Sequence, residues 1–196
     1  EIIDAATPAR GLLSMEIEAG VARRMPLLAA VGEEPAPSLS LALLTTAAGV
    51  PLVDIQVDGS GIAGVGIGDL FVPTTRDGRL CVHFSLRDRQ RFVSAADVLT
   101  GRVAPEIFER RIVLVGFTGL GLVDFITVPT GERMPGIEAH AQLLENIFDR
   151  TWLTRPGFLR GMELALLAVL GMVLVMVTPQ LTPGKSSLLW AGMMAA

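Results

Sequence analysis

A single cysteine, Cys81, rules out any internal disulfide and any cysteine-built zinc cluster. One thiol also says little about redox compartment. Histidine is almost as scarce, with only His83 and His140, and no metal-ligand spacing such as H-E-x-x-H occurs. The nucleophile elbow G-x-S-x-G is missing. No pair of carboxylates stands beside a candidate base, and Ser94 reads as a helix cap rather than a nucleophile. The expectation is a non-catalytic chain that needs no metal and no other cofactor. Basic residues are outnumbered, 16 Lys and Arg against 20 Asp and Glu. Setting aside Arg160, Glu163 and Lys185 leaves 14 basic and 19 acidic residues. Nucleic-acid binding rests on clustered cations, so that class of partner is not expected.

Apolar residues, by contrast, make up 51% of the 196. Residues 159–177 hold two ionised side chains, Arg160 and Glu163, both close to their start. A hydrocarbon core is crossed by roughly 20 helical residues, so this run is long enough for a transmembrane helix. Residues 178–185, with two prolines and a glycine, form a turn, and a second apolar run occupies 186–196. The expectation is a first span followed by the start of a second. Gly184-Lys185-Ser186 mimics the end of a phosphate loop, but Pro179 stands where that loop requires its first glycine, so the match is rejected. The chain opens on Glu1 rather than methionine and stops within an apolar run. It is therefore read as part of a longer protein, with no signal peptide left to judge.

Before the membrane segment, strand-like and helix-like stretches alternate, as in an α/β domain around a mixed sheet. Residues 12–17 and 21–31 flank Glu18-Ala19-Gly20, a hairpin loop, with Met25-Pro26 interrupting the second arm. Ser38 and Gly49 suit the two ends of a helix over 39–48. Residues 59–68 carry five glycines and read as a glycine-loosened strand with its turns. Arg76-Asp77-Gly78 is a hairpin signal between 70–73 and 80–84. Ser94 with Asp97 fits a capping box for a helix over 95–99. Residues 112–115, β-branched and bounded by glycine, read as a buried central strand. A second β-type run covers 125–128, and Pro135-Gly136 opens an amphipathic helix over 137–148.

Ligand-binding candidates gather around that central stretch. The loop from Gly116 through Thr118 and Gly119 to Gly121 follows a strand's carboxyl end, where open α/β sheets bind ligands. Its pattern is G-x-x-G-x-G, and no helix starts directly after it, so a tight turn permitting close packing accounts for it more readily than ligand binding does. Asp124 either caps the loop's amides or joins Glu138 and His140 in a polar cluster. His140 shares the apolar face with Ile137 and Leu144. It is either a satisfied core histidine or a group that senses ligand or protons, since imidazole titrates near neutral pH. His83 has no evident partner.

The runs IVLVGFTGLGLVD, TVP, PGIEAHAQLLENIFD and WLTRP together resemble the second class of CHASE domain. VARRMPLLA, PSLSLALLTTAAG, FVPTTRDGRLCVHFS and RFVSAADVLTG extend the likeness over roughly 11–156. That resemblance implies an extracytoplasmic sensory domain, residues 1–156 here, with its N-terminal part missing. About three membrane helices and a cytoplasmic output are implied downstream: an adenylate or guanylate cyclase, a diguanylate cyclase or phosphodiesterase, or a histidine kinase of a two-component system. The expected setting is a multi-pass inner-membrane receptor of a bacterium, dimeric, responding to a small molecule or an envelope condition. Arg150 and Arg155 precede the first span and Arg160 stands at its start, and counted alone they place the domain in the cytoplasm; the resemblance places it outside. Two other readings come from other classes: a membrane-anchored nucleotide-binding protein or enzyme using the 116–121 loop, and a purely structural envelope module.

Overall fold

The computed structural model describes residues 9–32, 34–50, 52–59, 61–86, 88–117, 125–154 and 158–178, without the side chains at 160 and 177. The chain divides into two units, up to Thr154 and from Arg155 onward.

The first unit is α/β, but its sheet is not the single mixed sheet expected. Among the described residues, ten short strands form four antiparallel sheets. β1 (Glu16–Glu18), β2 (Val21–Pro26) and β8 (Arg79–Cys81) form one, with β2 central. β3 (Leu28–Val31) pairs with β4 (Glu34–Pro37), and β5 (Asp54–Asp58), β6 (Gly61–Ile67) and β7 (Leu70–Pro73) form a meander. β9 (Phe125–Thr127) pairs with β10 (Arg133–Pro135). Among the described residues the parallel contact is an isolated bridge, Leu12 to Ser38. Short tight turns dictate this outcome, because antiparallel neighbours need only two linking residues whereas parallel ones need a long crossover.

The β1–β2 hairpin forms where expected. Ala19 and Gly20 both have positive φ, 49° and 81°, the conformation that matches the twist of a two-residue hairpin. β2 ends at Pro26, which offers no N–H to continue the ladder. The turn at Arg76-Asp77-Gly78 is also real, with Thr75 N–H donating to Arg79 O at 2.7 Å. It does not make a hairpin, however. β7 pairs with β6 and β8 pairs with β2, so this turn hands the chain from one sheet to another. In β6, Gly64 lets the Phe71 ring approach the backbone closely: a Cβ there would come within 2.3 Å of that ring.

α1 (Leu39–Ala48) starts at Ser38, whose Oγ accepts the Leu41 N–H at 3.3 Å. Gly49, left-handed at φ 65°, ends it. α2 (Ala95–Leu99) lacks the capping box: Ser94 makes no side-chain cap, and Asp97 instead takes Arg102 Nε at 2.8 Å. The arginine offers a charged partner, which outcompetes a neutral amide for a carboxylate. α3 (Gly136–Asp149) runs one residue longer at each end than its pattern suggested, and Arg150 closes it in a left-handed conformation.

Residues 112–115 depart furthest from expectation. They form no strand, and their side chains alternate: Ile112 and Leu114 pack on the core, while Val113 and Val115 are exposed. A buried central strand needs cover on both faces. Here only one face is covered among the described residues. The core itself is built from Met25, Leu27, Leu41, Leu80, Leu143 and Ile147, all essentially inaccessible. α3 supplies the last two and lies against α1 and β10.

In the second unit, α4 (Phe158–Val177) is a 20-residue helix whose apolar side chains are exposed along its length. Counting only the described residues, no helix is long and apolar enough to cross a membrane. In α4 the longest run with every side chain described is 161–176. The second expected span, 186–196, lies outside the described residues.

Candidate functional site

α3 carries the polar groups that matter, on its buried face. Gly136 and Pro135 start the helix, and Leu143, Leu144 and Ile147 fix its rotation by packing inward. That rotation also buries Glu138, His140, Gln142 and Asn146, each at most 5% exposed. Polar groups taken out of water need partners, so each must be placed.

His140 meets Ser40 of α1, with Nδ1 and Oγ 2.9 Å apart. The pair joins the two helices through one shared proton. Nε2 is buried and has no hydrogen-bond partner among the described residues. Burial pushes the imidazole's pKa below the usual histidine value, because the charged form loses its hydration. His140 is therefore neutral near pH 7. Glu138 is buried beside it in sequence. Gly116 lies against the helix's first turn: a Cβ there would sit 3.1 Å from Ile137 Cγ1. Close packing thus accounts for this glycine. Thr118, Gly119 and Asp124 lie outside the described residues, so the structure brings together His140 and Ser40, and Gly116 and Ile137. Among the described residues no group of three His, Cys, Asp or Glu side chains could hold a metal ion.

Gln142 and Asn146, which the sequence reading passed over, do something more specific. Asn146 Oδ1 accepts the His83 N–H at 2.7 Å, and its Nδ2 donates to His83 O at 3.1 Å and to Gln142 O at 2.9 Å. Gln142 treats Ser85 the same way, accepting from its N–H at 2.9 Å and donating to its carbonyl at 3.4 Å. A carboxamide has one acceptor and one donor side by side, as a peptide does. Spaced four apart on a helix, the two amides face the same way. Spaced two apart on extended chain, His83 and Ser85 do as well. The helix therefore completes the hydrogen bonding of the segment leaving β8, as a neighbouring strand would. Arg91 extends the clamp, its Nε and Nη2 reaching both oxygens of Glu145 at 2.9 and 2.8 Å. The clue in the sequence was two carboxamides four apart on the helix face that also carries Leu143 and Ile147.

Beyond α3 the chain returns to β8. Leu153 N–H donates to Cys81 O at 3.1 Å, an antiparallel bridge that ties the segment just before α4 to the sheet. The Cys81 thiol is held above its ordinary pKa, chiefly by burial and partly offset by Arg24, so it stays protonated and weakly nucleophilic.

Among these groups, buried Ser40 and His140 join α3 to α1, and Gln142 and Asn146 join it to the segment after β8. The model of the CHASE2 domain matches residues 5–178. The chain belongs to the CHASE2 family. CHASE2 domains are sensory domains of signalling receptors and not catalytic ones, so the scarcity of reactive groups on α3 has a natural setting. The CHASE2 match covers the clamp, the Leu153 bridge and α4 alike. No curated protein and no solved structure matches the chain.

Proposed function

We propose that the chain is the extracytoplasmic input region of a membrane-bound bacterial receptor. The observation that carries this reading is the CHASE2 match, which continues without a break from the α/β unit into α4. α4 serves as the first membrane span. Its 20 residues reach about 30 Å at about 1.5 Å per residue, the thickness of a hydrocarbon core. A second span begins within 186–196, and a cytoplasmic cyclase, diguanylate cyclase or phosphodiesterase, or histidine kinase receives the signal. The receptor works as a homodimer. Gly161, Ala165, Ala168 and Gly171 leave room for α4 to pack closely on its copy.

The signal route is the clamp. Gln142 and Asn146 lock α3 to the segment after β8, and Leu153 locks the exit of the domain to β8 itself. A stimulus that favours one arrangement of α3 over another is passed on at Leu153. Its strength is limited to its differential affinity for the two arrangements. The stimulus has most leverage at His140, on the buried face of α3, and Gly116, Thr118, Gly119 and Asp124 are the further ligand-binding candidates.

Membranes carrying the intact receptor test this directly. Incubated with ATP, GTP and, separately, a cyclic dinucleotide, they should yield a cyclic mononucleotide, a cyclic dinucleotide, a phosphorylated receptor or a linear dinucleotide. Asn146→Ala should change that yield at unchanged receptor abundance. No product of any of these four kinds would sink the receptor reading and favour a structural envelope module.

A further inference from the structure

Away from α3, a cleft of about 590 Å³ opens where three of the sheets converge. Its apolar wall includes Leu28 of β3, Ile55 of β5 and Ile62 of β6. Its polar end is formed by Glu16 of β1, Arg79 of β8 and Asp77 of the preceding turn. The Arg79 guanidinium pairs with both carboxylates: Nη1 meets Glu16, and Nε lies 3.1 Å from Asp77 Oδ2. Thr75 Oγ1 holds the other Asp77 oxygen at 2.5 Å. The volume lies in the range of small-molecule sites, and so does the pairing of an apolar wall with a few converging polar groups.

The charge decides what fits. One guanidinium against two carboxylates leaves the lining one negative charge in excess. An anionic ligand would have to draw Arg79 away and leave Glu16 and Asp77 facing each other uncompensated. A monocation can take one carboxylate while Arg79 keeps the other. We propose that this cleft binds a small organic monocation, an amine carried on a compact apolar body. Its consequence rests on the sensory reading above. Arg79 and Cys81 both belong to β8, and Cys81 O holds Leu153. An amine that exchanges partners with Arg79 therefore acts on the strand to which the domain's exit is tied.

The test uses the full chain in detergent micelles, with methyl-labelled leucine and isoleucine and an amide-labelled backbone, followed by NMR. The probe is benzylamine, with benzyl alcohol and benzoate as its neutral and anionic counterparts. Benzylamine should shift the Leu28, Ile55 and Ile62 methyls saturably, and benzyl alcohol should bind at least about tenfold more weakly, since hydrogen bonds to charged groups contribute about 1.5–3 kcal/mol. Benzoate should not saturate. Asp77→Asn should weaken benzylamine by about tenfold or more, and Glu16→Gln serves in its place if the first variant loses its folded spectrum. Equal affinity for benzyl alcohol, tighter binding of benzoate, no saturable shift with benzylamine, or affinity unchanged in the variants would each overturn the site. Benzylamine binding that leaves the Leu153 amide unmoved would keep the site and overturn its part in signalling. The receptor reading stands or falls separately, on the nucleotide products.

Discussion

Replacing Asn146 by alanine removes the acceptor for the His83 N–H and the donors to His83 O and Gln142 O. A hydrogen bond contributes about 0.5–1.5 kcal/mol net, more where the orphaned partner stays buried. Asn146 is 5% exposed, whereas His83 lies at the surface, so water recovers part of the loss there. The two His83 bonds then leave a deficit of about 2 kcal/mol, the centre of that range. At about 1.4 kcal/mol per factor of ten, local opening at His83 becomes about 30-fold more frequent. Amide hydrogen exchange on the full chain reads this residue by residue. The His83 amide should exchange about 30-fold faster in Asn146→Ala, Ser85 should follow to a smaller degree, and the amides of β6 should stay within twofold of their original rates. Asn146→Asp should be no better than alanine, because a carboxylate keeps the acceptor but faces the His83 and Gln142 carbonyls. An unchanged His83 amide would refute the clamp. A uniform acceleration across β6 would refute the claim that its effect is local.

Other consequences concern single groups. With its imidazole pKa lowered by burial, His140 takes up a proton more readily in the unfolded chain. Its contribution to stability is therefore complete above about pH 7 and is lost as pH falls through about 6.5 toward the folded pKa, with a slope of at most about 1.4 kcal/mol per pH unit. Urea titrations should show that acid-side loss in the wild type and a flatter profile in His140→Gln; parallel profiles would contradict it. Cys81, held protonated, should react with a maleimide several times more slowly than the same residue in the urea-unfolded chain, and equal rates would count against its burial. Leu143→Ala should cost about 2–5 kcal/mol in unfolding free energy as a fully buried leucine of α3, and a loss below about 1 kcal/mol would place that helix outside the core.

Local chemistry was legible in the sequence and longer-range pairing was not. Ser38 and Gly49 bracket α1 as capping rules require, and Ala19-Gly20 turns the first hairpin. Those signals act over two to four residues, and nothing distant competes with them. The turn at Asp77-Gly78 was equally clear, yet the partner of β8 was misread, because a turn fixes chain direction and not which edge the next strand will meet. Ser94 and Asp97 had the spacing of a capping box, and Arg102 took the carboxylate instead. Residues 112–115 were read as central from composition alone, although β-branched residues suit any surface that is half-buried. Of the proposed site, His140 could be placed on the inner face of α3 by its spacing, but its partner Ser40 lies a hundred residues away and leaves no local trace. Gln142 and Asn146 escaped for the same reason: their targets are backbone groups, which every residue has.

The central claim is that this α/β unit faces outward and α4 carries its state into the membrane. A single exposed cysteine decides it most directly. In a Cys81→Ser background, Asp149→Cys puts one thiol at the exposed end of α3. Intact spheroplasts expressing the full protein are then treated with a membrane-impermeant maleimide, before or after lysis. Full labelling before lysis, with no further gain after it, is the result the account predicts. Labelling that appears only on lysis would put the domain in the cytoplasm and contradict the account.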